Sequence, residues 1–186
     1  MKKNLRLVNA DHPVEESEVF ELIRVGPDKY MECCAGRAMK KMLTAALKKG
    51  VRLSVVSAYR SFKYQAELFE RSIRTRMADG MNAEEAVCDT AKCLAVAGAS
   101  EHNAGLAADL MGEKDTDVDE RFAQTKEFDW LKKNAHKFGF VLRYPEGAEA
   151  VTGYVYEPWH FRYVGRHDAC RMKKSGKCLE EYLRSV

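Results

Sequence analysis

The stretch Ser100-Glu101-His102-Asn103-Ala104-Gly105-Leu106-Ala107-Ala108-Asp109-Leu110 changes character halfway along. Its first part strings polar residues and a glycine together without a helical period, and Gly98 to Asn103 reads as loop. From Gly105 to Leu110 the pattern alternates, with Leu106, Ala108 and Leu110 on one face and Ala107 and Asp109 on the other. Such alternation predicts a short strand that carries a carboxylate on its non-core face.

Working outward, Ala35 to Lys49 places Ala38, Met39, Met42, Leu43, Ala46 and Leu47 at helical spacing, with Gly50 as a stop. Val51 to Ala58 is β-rich and reads as a strand, and Phe62, Ala66, Phe69, Ile73 and Met77 then trace one face of a second helix. Arg60 lies at the junction. Asn82 with Glu85 resembles a capping box that opens a third helix running to the neighbourhood of Leu94. Phe128, Leu131, Ala135 and Phe138 mark a fourth, ended by Gly139, and Leu179 to Leu183 a short terminal one. Phe140 to Tyr144 and Tyr154 to Val164 read as strands. Helices come early and antiparallel-looking strands late, which predicts an α+β fold of helices packed on a small antiparallel sheet. Without an internal repeat or a linker rich in Pro, Gly or Ser, residues 1–186 read as one domain.

Composition narrows the function. Hydrophobic residues make up 46% and charged residues 32%, as in ordinary globular proteins. The net charge of +3 comes from basic residues scattered through helical stretches, which argues against nucleic acid as a partner. No run approaches the roughly 18 apolar residues of a membrane span. Met1-Lys2-Lys3-Asn4 resembles a signal n-region, but Leu5-Arg6-Leu7-Val8-Asn9 is too short and too charged for the apolar region that should follow. The chain is either cytoplasmic, or extracytoplasmic with a leader or anchor removed. Cys33, Cys34, Cys88, Cys93, Cys170 and Cys178 form no C-x-x-C pair, so a thiolate zinc site is not expected. They read as buried free thiols, although an even count permits disulfides in an exported protein.

The chemistry is carried by Tyr59-Arg60-Ser61, by the stretch from Ser100 to Asp109, and by Glu157-Pro158-Trp159-His160. A catalytic zinc takes about three protein ligands of the His/Asp/Glu type and leaves one position for water. His102, Asp109 and His160 supply that set, and Glu157 is the candidate base. Pro158 rules out a helical H-E-x-x-H arrangement. On a regular strand, positions three apart face opposite ways, so Glu157 and His160 share a site only if the chain is irregular near Pro158. The guanidinium of Arg60 suits a substrate carboxylate, and favours terminal residues if it lies at the end of the cleft. Taken singly, each has an ordinary reading: His160 as a satisfied structural histidine, Asp109 as a turn residue, Glu157 as an exposed strand carboxylate, and Arg60 as a surface ion pair. The joint pattern favours the metal site. His12, His136 and His167 have no such company and read as structural or solvated.

Ser57-Ala58-Tyr59-Arg60-Ser61 with Gln65, the Ser100–Asp109 motif, Trp130 to Pro145, Thr152 to Gly165 and Leu179-Glu180-Glu181-Tyr182-Leu183 occur in an order that resembles the VanY-type D-alanyl-D-alanine carboxypeptidases. The related L,D-carboxypeptidases and D,D-dipeptidases of the same zinc peptidase family share that order. The resemblance runs from about Leu5 to about Leu183. It implies a Hedgehog/D-Ala-D-Ala peptidase-like fold, one zinc per chain on His102, Asp109 and His160, Glu157 as base and Arg60 as carboxylate anchor. Ser57, Gln65, Ser100 and Trp159 would belong to the pocket. The family usually reads Pro-Gly before the metal motif and Gln after its histidine, where this chain has Ala97-Gly98 and Asn103. The implied activity is removal of the C-terminal D-Ala from a peptidoglycan stem peptide by a monomer. L,D-carboxypeptidase, D,D-dipeptidase and a non-catalytic wall-peptide binding module are the alternatives.

Overall fold

The computed structural model describes residues 3–114 and 118–186, Lys3 by its backbone alone. Strands β1 (Leu22–Gly26) and β2 (Lys29–Glu32) form an antiparallel hairpin turned at Pro27-Asp28. Asp28 adopts φ 51°, a left-handed conformation that Asp tolerates. Helix α1 (Cys33–Leu47) follows at once, because the Glu32 carboxylate caps it by accepting from the N–H groups of Cys34 and Ala35. Its buried face, including Ala35, Met39, Met42 and Ala46, has the helical spacing expected. Gly36 lets α1 approach the hairpin, since a Cβ there would lie 2.5 Å from Ile23 Cγ1.

Strand β3 (Leu53–Ser57) leads into α2 (Phe62–Ala78) and α3 (Ala83–Ala91), which pack on each other. The Asn82/Glu85 capping box forms. After β4 (Ala107–Gly112) come α4 (Lys126–Asn134), β5 (Phe140–Leu142), the single-turn α5 (Glu149–Thr152), β6 (His160–Tyr163), α6 (Arg166–Ser175) and α7 (Leu179–Leu183). The main sheet has the order β3-β4-β6-β5, antiparallel throughout. One side of it builds the principal core, where Ala108, Leu110, Phe140 and Phe161 meet α1 and α4 side chains such as Met39, Met42, Phe128 and Leu131. A second cluster joins Val141 and Val164 to Ala169, Met172, Leu179 and Tyr182 from α6 and α7, and to Leu5.

The α+β class stands, with corrections of detail. The hairpin precedes every α-helix, so strands are interleaved rather than confined to the later half. The strand expected over Tyr154 to Val164 is paired only over His160–Tyr163, because the preceding residues enter a turn. The third helix stops at Ala91 instead of Leu94, and Met77 is 46% exposed and leaves the expected stripe. Helix α6 had no strong signal: Asp168, Ala169 and Met172 are its only buried residues. All six cysteines are free; Cys33 and Cys178 are buried as expected, whereas Cys34 and Cys88 are exposed. Among the described residues, no helix is long and apolar enough to cross a membrane.

Candidate active site

Sheet register puts three side chains in a row. Asp109 on β4 pairs with Ser57 on β3 and with His160 on β6. Between Val55 and Ser57 the register of β3 shifts against β4, a bulge that brings Ser57 alongside Asp109. His102 comes from the loop before β4, which is held to its surroundings by backbone bonds from Arg60 N–H to the His102 carbonyl (3.1 Å) and from Glu32 N–H to the Gly105 carbonyl (2.9 Å). The irregularity expected near Pro158 is present: residues 157–160 turn, with His160 N–H donating to the Glu157 carbonyl at 3.2 Å. Glu157 Oε2 thereby reaches to 3.3 Å from His160 Nδ1.

His102, Asp109 and His160 each offer one donor atom, and these atoms lie within 4.8 Å of one another. His102 Nδ1 donates to the Ala58 carbonyl at 2.7 Å, which turns Nε2 toward Asp109 Oδ2 at 3.4 Å. Asp109 Oδ1 is buried and has no hydrogen bond, although His160 Nδ1 is 3.4 Å away. A buried carboxylate oxygen left without a partner, on a carboxylate that has an imidazole beside each of its oxygens, fits a divalent cation and is costly otherwise. Burial by itself would raise the Asp109 carboxyl, but His102, Arg60 and His160 hold it far below the usual range. Burial, and then Arg60, lower His102. Against the effect of burial, hydrogen bonds to Glu101 and Glu157 and the charge of Asp109 push His160 up to about 9. Burial raises Glu157, although His160 pulls it down. A carboxylate so raised is a stronger base than a solvated one.

These residues line a cleft of about 930 Å³ that also exposes Ser57, Ser100, Trp159, Tyr144 and Tyr154. Burial, and then Glu101 and Glu157, push Tyr154 up to about 12, which keeps its hydroxyl protonated as a donor. One expectation needs correction. Gln65 is fully buried and does not line the cleft; its amide donates to the Ala95 carbonyl (2.7 Å) and its oxygen accepts from Arg60 (3.4 Å). Arg60 does line the cleft: its fork rests on Asp109 Oδ2 at 2.7 Å and its Nε donates to Ser57 Oγ at 2.9 Å. Asn103 is fully buried, accepting from Gly98 N–H (3.0 Å) and donating to the Arg60 carbonyl (2.8 Å). Sequence reasoning missed Glu101, which touches His160 from behind, and Tyr144, whose ring packs 4.9 Å from that of His160.

The family model described as VanY, D-alanyl-D-alanine carboxypeptidase, matches residues 28–166. YodJ of Bacillus subtilis is 38% identical over 159 residues, covering 85% of this chain and 55% of that protein. A D-alanyl-D-alanine carboxypeptidase of Enterococcus faecalis is 32% identical over 180 residues, covering 97% of this chain and 65% of its own length. The chain thus spans between about half and two thirds of these relatives. Among solved structures, a mutant of the vancomycin-resistance D,D-pentapeptidase VanY, from a VanB-type cassette and in complex with Zn(II), matches with a TM-score of 0.88. It is 31% identical, with 98% of this chain and 99% of that one covered.

Proposed function

The chain belongs to the VanY family of D-alanyl-D-alanine carboxypeptidases, and from that premise we propose that it removes the C-terminal D-Ala from peptidoglycan stem peptides. The observation that carries the reading is the convergence of three buried ligands, one with an unpartnered oxygen, beside a buried carboxylate and a guanidinium. His102, Asp109 and His160 would hold zinc, which when bound supplies a Lewis acid that polarises the scissile carbonyl and acidifies water. Glu157 takes the proton of the attacking water and returns it to the leaving amine. Arg60 receives the terminal carboxylate. Successive Cα atoms are about 3.8 Å apart, so an anchor lying against the ligands leaves room for one residue between the scissile bond and the chain end. Ser57 and Gln65 hold that anchor in orientation, while Ser100 and Trp159 form the wall against which the peptide lies. Such a substrate is wall material, so the proposed place of action is extracytoplasmic.

The test is to incubate the zinc-loaded protein separately with a pentapeptide stem, a tetrapeptide stem and free D-Ala-D-Ala, and to follow release of D-Ala. Release from the pentapeptide is expected, with kcat falling about 10²- to 10⁴-fold in Glu157→Gln. Release from the tetrapeptide alone would reassign the specificity as L,D. Hydrolysis of none of the three, or full activity in Glu157→Gln, would overturn the mechanism.

A further inference from the structure

The two ring nitrogens of His160 face different carboxylates. Nδ1 lies 3.4 Å from Asp109 Oδ1, inside the ligand cluster, and Nε2 lies 3.3 Å from Glu101 Oε2, away from it. Glu101 is 2% exposed. Its other oxygen accepts from both Arg143 Nε and a terminal nitrogen of Arg162, each at 2.7 Å. Both guanidiniums are themselves held. Arg143 forms a two-pronged pair with Glu180 of α7 at 2.9 and 2.6 Å, and Arg162 donates to the carbonyls of Asn4 and Arg6 at 3.2 and 2.7 Å. The Glu101 carboxylate is therefore locked on one side and offers its remaining oxygen to His160.

A carboxylate on one imidazole nitrogen keeps a proton there, so the other nitrogen is the one that gives up its proton to bind a cation. We propose that Glu101 is a positioning residue of the metal site: it fixes His160 in the form protonated at Nε2 and aims Nδ1 at the cation. The structure solves the same problem differently at His102, where the Ala58 carbonyl takes Nδ1 and Nε2 faces the cluster. The ordinary alternative is that Glu101 merely neutralises two buried arginines. That role would be indifferent to which nitrogen of His160 carries the proton. The proposal rests on the zinc reading above but not on the substrate.

Histidine-selective ¹⁵N labelling of the zinc-loaded protein tests it without a variant. His160 should show a metal-bound Nδ1 and a hydrogen-bonded Nε2–H, and His102 the reverse; a His160 bound through Nε2 overturns the proposal. In Glu101→Gln, chelator competition should give a zinc Kd raised about 10- to 100-fold. Glu180→Gln perturbs the same network without touching His160, and should leave the Kd unchanged. An equal loss in both variants, or none in Glu101→Gln, also overturns the proposal. If Glu101→Gln does not fold, the wild-type spectrum decides. Zinc binding is read without peptide, so a chain inactive on every stem would sink the proposed function and leave this result standing.

Discussion

Arg60 is held at every nitrogen, by Ser57, Gln65 and Asp109, and at its backbone by His102 and Asn103. This much support goes to a side chain whose direction matters, and only a planar fork reaches all three side-chain partners at once. In Arg60→Lys the positive charge stays but the fork is lost. A charge-assisted hydrogen bond contributes about 1.5–3 kcal/mol, so kcat/KM on the pentapeptide stem should fall about 10- to 100-fold, with KM rising. Asn103 acts one step further out. Asn103→Ala strips partners from Gly98 N–H and the Arg60 carbonyl, and each buried group left unsatisfied costs about 1–3 kcal/mol. Urea unfolding should show that loss in the midpoint with an unchanged slope; an unchanged midpoint would mean that water replaces the amide.

Where it meets β2, the loop carrying His102 depends on a residue without a side chain. Gly105 adopts φ +66°, and a Cβ there would lie 2.8 Å from the Glu32 backbone nitrogen, which donates to the Gly105 carbonyl. Gly105→Ala therefore combines an unfavourable conformation with a backbone clash, and should destabilise by about 2–3 kcal/mol and weaken zinc binding in chelator competition. The same elements show how far the sequence could be read. The three ligands and Glu157 were legible because few residue types bind a cation, and Pro158 was legible because it forbids a helix and forces the turn that unites Glu157 with His160. Glu101 was not: a glutamate in a polar loop looks solvated until β6 and α7 place Arg162, Arg143 and Glu180 around it. Gln65 looked like a pocket residue because helical position alone does not say which neighbour covers it. The β1–β2 hairpin had an available signal, Gly26-Pro27-Asp28 between two β-rich runs, but α6 had little, since its buried stripe is narrow.

Both ends of the described chain are tied to the sheet through the charges that surround His160. Arg162 on β6 takes the carbonyls of Asn4 and Arg6, Arg143 takes Glu180, and Glu101 joins the two guanidiniums. Removing one member of such a buried set leaves the others uncompensated, which costs about 3–5 kcal/mol. Its dependence on pH follows from Glu101. Burial by itself would raise this carboxyl, but Arg143 and Arg162 hold it well below the usual range. A depressed carboxylate contributes stability above its unfolded pKa, about 4.3, and loses that contribution as pH falls toward the folded value. Glu101→Gln has no proton to take up there. Glu101 also holds the proton of His160, whose contribution is complete only below about pH 6.5. The stability gap between wild type and Glu101→Gln should therefore be widest between about pH 4.3 and 6.5 and narrow steadily below about pH 4.3, as read from urea unfolding at a series of pH values. A gap that stays constant down to pH 3 would mean that the native fold does not hold Glu101 ionised. The two arginines would then owe their burial to Glu180 and the backbone carbonyls alone.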